Sequence, residues 1–289
     1  MKYLKLMRIK HWLKNGMIFL PLFFSGKLFN VDLLLEASIA FFVFSFVSSV
    51  VYINNDINDI DKDRNHPIKK NRPLASGAVG VKCAKGIECI LLLISIVLLA
   101  LLFQLQNNIF VFIIPLLYLI LNVLYSKGLK NIPIIDVIIL VSGFVFRVMY
   151  GGVVTGVEVS KFLYLMIIFG SFYLGFGKRR NEIIKSGNSS RKVLKYYNKE
   201  FLDKNMYVCL SLAIISYALW CVDPGTVARI GNDYIFWTIP IVMIIFQLYS
   251  LDIEGNSYGD PIEIVLNNNK LLFSVLLYVV IMGGVLYLL

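Results

Sequence analysis

Apolar runs close to the length of a bilayer recur from one end of this chain to the other, and no other feature constrains its fold as strongly. A membrane-crossing helix needs about 20 consecutive, predominantly apolar residues. Such runs stand at about 17 to 29, 33 to 53, 87 to 105, 109 to 126, 134 to 154, 160 to 177, 205 to 222, 234 to 251 and 271 to 288. With 58% hydrophobic residues and a mean hydropathy of +0.75, the chain is too apolar for a soluble domain. No linker, change of composition or internal repeat divides it. The expected fold is an all-α membrane protein of about nine transmembrane helices, one polytopic domain over residues 1–289 with a central cavity open to the cytoplasmic side.

The basic residues orient this arrangement. With the N-terminus inside, 24 of the 28 Lys and Arg residues fall in cytoplasmic segments, Lys27, Arg229 and Lys161 fall outside, and Arg147 lies within a span. That asymmetry follows the positive-inside rule, so the N-terminus and the long loops are expected in the cytoplasm of a cell-membrane protein and the C-terminus outside. The net charge of +10 is then mostly topology, with attraction to anionic lipid of the bilayer as a second contribution, and nucleic acid is not needed to explain it. Residues 1–14 read as an interfacial amphipathic helix, with Leu4, Leu6, Met7, Ile9, Trp12 and Leu13 toward lipid. A secretory signal is the rival reading. The run ends in Phe23-Phe24-Ser25-Gly26-Lys27 without a small-x-small cleavage site, so the segment is expected to be retained.

Two cytoplasmic connections, 54–86 and 178–204, are too long and too charged to be simple turns. The first holds Asn55, Asp56, Asp59 and Asp63. If the preceding helix continues, steps of 100° put Asp56, Asp59 and Asp63 on one face and turn Asp61 away. Three carboxylates on one face repel one another unless a cation sits among them. With retained water and substrate phosphate, they form the usual ligand set of Mg²⁺, to which Asn55 adds a neutral carbonyl. The alternative is a solvated acidic loop that merely ends a helix. The second connection opens with Lys178, Arg179 and Arg180. Guanidinium forks and a mobile ammonium suit phosphate oxygens, so this run is expected to complete a polyphosphate pocket opposite the acidic site. A plain positive-inside stop is its alternative. Cys83, Cys89, Cys209 and Cys221 show no C-x-x-C pairing and His11 and His66 are far apart, which gives no support to zinc or haem. Arg147, inside an apolar span, is expected to make a structural pair or to snorkel.

At these residues the chain resembles the UbiA superfamily of intramembrane prenyltransferases. Its first Asp-rich motif, N-D-x-x-D-x-x-x-D, stands as Asn55, Asp56, Asp59 and Asp63, with a basic tail of Arg64, His66, Pro67, Lys69, Arg72, Pro73 and Gly77. Tyr125, Ser126 and Lys130, just before Asp136, are similar to the family's connection between the fourth and fifth spans. One departure is informative: where prenyl-diphosphate users carry a second Asp-rich motif, this chain has Lys178, Arg179, Arg180 and Glu182. With Arg8, Lys10, Trp12, Leu13, Lys14 and Asn15 at the start and Gly259-Asp260-Pro261 near the end, it resembles the branch typified by decaprenyl-phosphate phosphoribosyltransferase.

The resemblance implies Mg²⁺-dependent transfer of 5-phosphoribosyl from phosphoribosyl pyrophosphate (PRPP) to a polyprenyl phosphate. Asp56, Asp59 and Asp63 would be catalytic through the metal, with Asn55 completing its ligands. Lys69, Arg72, Lys130, Lys178, Arg179 and Arg180 would divide the phosphates, with Lys14 at the cavity mouth. Ordinary prenyl transfer to an aromatic or lipid acceptor is the nearest rival, and a transporter the more distant one. Assembly into a homo-oligomer is left open by the sequence.

Overall fold

The computed structural model describes residues 1–65, 69–186, 191–255 and 261–288, and among them there is no strand. His66, Pro67, Gly259 and Asp260 of the expected motifs lie outside the described residues. The α-helices are α1 (Lys2–Leu6), α2 (Leu20–Phe24), α3 (Val31–Asn58), α4 (Ile60–Arg64), α5 (Val81–Gln106), α6 (Phe110–Lys127), α7 (Ile135–Thr155), α8 (Lys161–Ser186), α9 (Lys199–Val222), α10 (Pro224–Ile230), α11 (Ile239–Glu254), α12 (Pro261–Asn267) and α13 (Asn269–Tyr287). Seven segments are long and apolar enough to cross a bilayer: α3, α5, α6, α7, α9, the run Tyr234–Glu254 that ends in α11, and α13. Their starts obey local chemistry. Asn30 caps α3 by accepting from the Leu33 amide, and Asn198 caps α9 by accepting from the Phe201 amide.

Where nine spans were expected, the two outside this set differ for identifiable reasons. Residues 17–29 are not one membrane-length helix: a 3-10 segment, Ile9–Phe19, leads into the five-residue α2, and the chain turns at Gly26 with φ +74°. Residues 160–177 do form helix, but α8 continues through the charged run 178–182 to Ser186. The 178–204 connection is therefore largely helical at its start. The N-terminal stretch is also not a single interfacial helix. Arg8 takes a left-handed conformation, φ 52°, which ends α1. Leu6, expected toward lipid, is fully buried with Val50, Ile53 and Leu91.

Two units emerge from the contacts. The first comprises Met1–Leu22, Phe29–Lys127 and Phe146–Val157, and the second Phe23–Leu28, Gly128–Val145 and Glu158–Leu289. In the first, α3 is the central post, packed by α5, α6 and the 3-10 segment. Serines on α3 anchor that segment: Trp12 Nε1 donates to Ser49 Oγ at 3.0 Å and Asn15 Nδ2 to Ser45 Oγ at 2.8 Å. In the second, α8 packs on α9 and α11, and α11 on α13. Side chains such as Leu93, Val97 and Val280 stay exposed, as helices facing hydrocarbon allow.

Gly151 on α7 marks a close backbone approach in the first unit, because a Cβ there would lie 2.0 Å from the Ile18 carbonyl oxygen. Backbone cannot yield as a side-chain tip does. Gly151→Ala is expected to cost about 2 kcal/mol or more of stability, read as a lower thermal midpoint in detergent. An unchanged midpoint would show that the 3-10 segment shifts freely.

Candidate active site

The first unit builds an acidic cluster across a helix break. Asp56 lies in the last turns of α3 and Asp63 in α4, and both are buried. Arg72 Nη1 bridges them, 3.1 Å from Asp56 Oδ1 and 2.6 Å from Asp63 Oδ2. Arg8 Nη2 adds a second contact to Asp56 Oδ1 at 2.5 Å, its guanidinium 4.7 Å from the centre of the Tyr52 ring. The guanidinium offsets the repulsion between two buried carboxylates, which removal of either arginine would expose.

Asp59 behaves differently from the continuous-helix expectation. It stands at the break itself, φ −105° and ψ 11°, and its one-third exposed side chain lies 3.5 Å from Lys62 Nζ. Asp61 is 94% exposed and pairs with Arg64 at 3.5 Å, turned away as the helical spacing predicts. The structure thus brings Asp56, Asp63 and Arg72 together, while Asp59 stands apart beside Lys62. Among the described residues no three His, Cys, Asp or Glu side chains converge as metal ligands. The donor chemistry nonetheless suits a hard dication: two carboxylates already share one positive group, the Arg72 guanidinium. Arg8 is the cluster residue that helical spacing could not reveal, since it is 48 positions from Asp56.

Asn55, one position from Asp56 and so about 100° around the helix, faces elsewhere. Its Oδ1 accepts from Ser126 Oγ. Both belong to a cavity of about 280 Å³ between α3 and α6, with Asn54, Asn58, Asn122 and Lys127 as its other polar lining and Val50, Val51, Leu119 and Val123 as its apolar one.

In the second unit the expected phosphate arginines are committed to carboxylates. Arg179 is fully buried, with Nε 2.5 Å from Asp136 Oδ2 and Nη1 2.9 Å from Glu182 Oε2. Tyr197 donates to the other oxygen, Asp136 Oδ1, at 2.7 Å. Arg180 is buried with Nε 2.5 Å from Asp203 Oδ1. Both arginines are thus buried and paired with carboxylates, partners that the sequence expectation of phosphate ligands did not include. Burial opposes ionisation of Glu182, but Arg179, Arg191 and Lys178 outweigh it and hold its carboxyl below the usual range. Lys178 on α8, Lys130 in a 3-10 turn, Lys69 and Lys14 are half-buried.

Arg147 makes a structural arrangement within the first unit. Its Nε donates to Asn15 Oδ1 at 2.7 Å, and the guanidinium lies 5.0 Å from the Phe44 ring centre and 5.3 Å from that of Tyr118.

The sequence model of the UbiA prenyltransferase family matches residues 17–256. The chain belongs to the UbiA prenyltransferase family. Among its relatives, the decaprenyl-phosphate phosphoribosyltransferase of Corynebacterium glutamicum is 32% identical over 93% of this chain and 81% of that one. The enzyme of the same name from Mycobacterium tuberculosis is 29% identical over 97% and 92%. A UbiA homologue from Archaeoglobus fulgidus, solved with DMAPP and Mg²⁺, superposes with a TM-score of 0.69 at 20% identity, covering 99% of each chain. That likeness shows the fold, while the family match and the phosphoribosyltransferase relatives make this UbiA protein an enzyme of the transferase class.

Proposed function

We propose that this UbiA protein transfers 5-phosphoribosyl from PRPP to a polyprenyl phosphate and releases pyrophosphate. The observation that carries the choice of donor lies at the position of the second Asp-rich motif. There α8 presents Lys178, Arg179 and Arg180, and the nearby carboxylates Asp136, Glu182 and Asp203 are each engaged by an arginine. Among the described residues, cations thus stand on α8 where the resemblance implies a second carboxylate motif in prenyl-diphosphate enzymes. Relatives bearing the phosphoribosyltransferase name over nearly the full chain support the same reading.

The lipid phosphate is already anionic and needs no general base. Its oxygen attacks the anomeric carbon as the bond from that carbon to the pyrophosphate oxygen breaks, and the pyrophosphate leaves with the electron pair. Positioning and charge stabilisation then supply the rate. Asp56 and Asp63 would hold Mg²⁺, which would supply charge neutralisation for the leaving group, with Asp59 at the helix break between α3 and α4 as the third carboxylate of the motif. Arg72, Lys69, Lys130, Lys178 and Lys14 are the cations assigned to the phosphates, while Arg179 and Arg180 fix the end of α8. We assign nine crossings, the seven long apolar segments plus residues 161–177 of α8 and the stretch 17–29, with the N-terminus cytoplasmic and the C-terminus outside, from the distribution of basic residues.

The test is purified protein with Mg²⁺, offered labelled PRPP with polyprenyl phosphate or labelled prenyl diphosphate with an aromatic acid. Label from PRPP is expected in the lipid, and EDTA is expected to abolish its transfer. Transfer from the prenyl diphosphate alone would sink the phosphoribosyl reading.

A further inference from the structure

The cavity between α3 and α6 carries more than its neighbourhood to the acidic cluster. Its polar wall is amide-rich: Asn54, Asn55 and Asn58 from α3, and Asn122 with Ser126 and Lys127 from α6. The internal hydrogen bonds use only half of each amide. Asn58 Nδ2 donates to Asn54 Oδ1 at 2.8 Å, and Asn122 Nδ2 donates to the Tyr118 carbonyl at 2.8 Å. Ser126 Oγ donates to Asn55 Oδ1. Two amide donors, on Asn54 and Asn55, and two carbonyl acceptors, on Asn58 and Asn122, remain for a guest. Among the described residues, no carboxylate lines the cavity.

This inventory selects a chemistry. A hydroxyl both donates and accepts, so it can satisfy the two kinds of amide group at once. An ionised phosphate only accepts, so it could take the Lys127 ammonium and the amide donors but would leave the Asn58 and Asn122 carbonyls facing an anion. A hydrocarbon chain would leave all four groups unpaired. A volume of about 280 Å³ admits a pentose. Asn55, which lines the cavity, directly precedes Asp56 on α3, so the cavity and the Asp56–Arg72–Asp63 cluster occupy adjoining faces of the same helix end.

We propose that this cavity binds the ribosyl 2- and 3-hydroxyls of the donor, and that Asn122 and Asn58 set specificity for a ribosyl over a deoxyribosyl group. The proposal rests on the phosphoribosyl reading and deepens it. A site built to hydrogen-bond a hydroxyl rejects the analogue that lacks it, because its own polar groups are then left unpaired.

The experiment compares kcat/KM for PRPP and for its 2-deoxy and 3-deoxy analogues, using full-length protein in nanodiscs with polyprenyl phosphate. Wild type is expected to prefer PRPP to at least one analogue by about 10-fold or more. In Asn122→Leu, kcat/KM for PRPP is expected to fall about 10-fold while that for the disfavoured analogue holds, so the preference collapses toward unity. Should Asn122→Leu fail to fold, Asn58→Leu, at an exposed position of the wall, carries the same comparison. An enzyme active on PRPP whose preference is absent, or is unchanged in the folded variant, overturns this proposal and leaves the reaction standing. Wild type that uses none of the three donors overturns the reaction and the proposal together.

Discussion

Asp56→Asn is expected to lower kcat/KM for phosphoribosyl transfer by about 100-fold or more, roughly 3 kcal/mol of lost transition-state stabilisation. Asp61→Asn, five residues along, is expected to stay within about two-fold of wild type. The contrast follows from placement. Asp56 is buried and holds both Arg8 and Arg72, whereas Asp61 is 94% exposed beside Arg64. Asp63→Asn is expected to behave like Asp56→Asn because it is the other end of the Arg72 bridge. Asp59→Asn is expected to fall between the two groups, since the helix break leaves it partly in water next to Lys62. The measurement is initial rate against Mg²⁺ and PRPP concentration, with thermal unfolding in parallel to separate lost chemistry from lost fold. Equal losses in Asp56→Asn and Asp61→Asn would remove the case for a carboxylate site here.

Arg179→Ala is expected to act on stability first. It strips a fully buried guanidinium from Asp136 and Glu182, and removing one partner of a buried pair typically costs about 3 to 5 kcal/mol because the other charge is left uncompensated. The expected result is a large drop in thermal midpoint and in the yield of folded protein, with near-normal KM for PRPP in whatever folds. The double variant Arg179→Met with Asp136→Leu is expected to recover part of the midpoint, since no buried charge then stands alone. A stable Arg179→Ala protein with a 10- to 150-fold loss in kcat/KM would instead restore the residue to the phosphates. Acid should weaken the same network. With Glu182 held below its ordinary range in the folded state, its contribution is present at neutral pH and is lost as the pH falls through that depressed value.

Much of this protein is local in origin, and the local part was legible in the sequence. Hydropathy alone located the long helices, since a span needs only a run of apolar residues and the seven long segments fall where those runs stand. The 3.6-residue period turned Asp61 outward as found. The family followed from the motif that runs from Asn55 to Asp63. Tertiary structure decided the rest, because those features depend on partners that periodicity does not connect. A single break at Asp59 separated one carboxylate from the other two, and Arg8 reached Asp56 across 48 positions of sequence. Arg179 found Asp136 at a separation of 43, a buried ion pair that no local pattern announces. Composition records how many charges a chain carries, but whether a given arginine meets a substrate or a carboxylate depends on which groups share its burial, and only the packed structure fixes that.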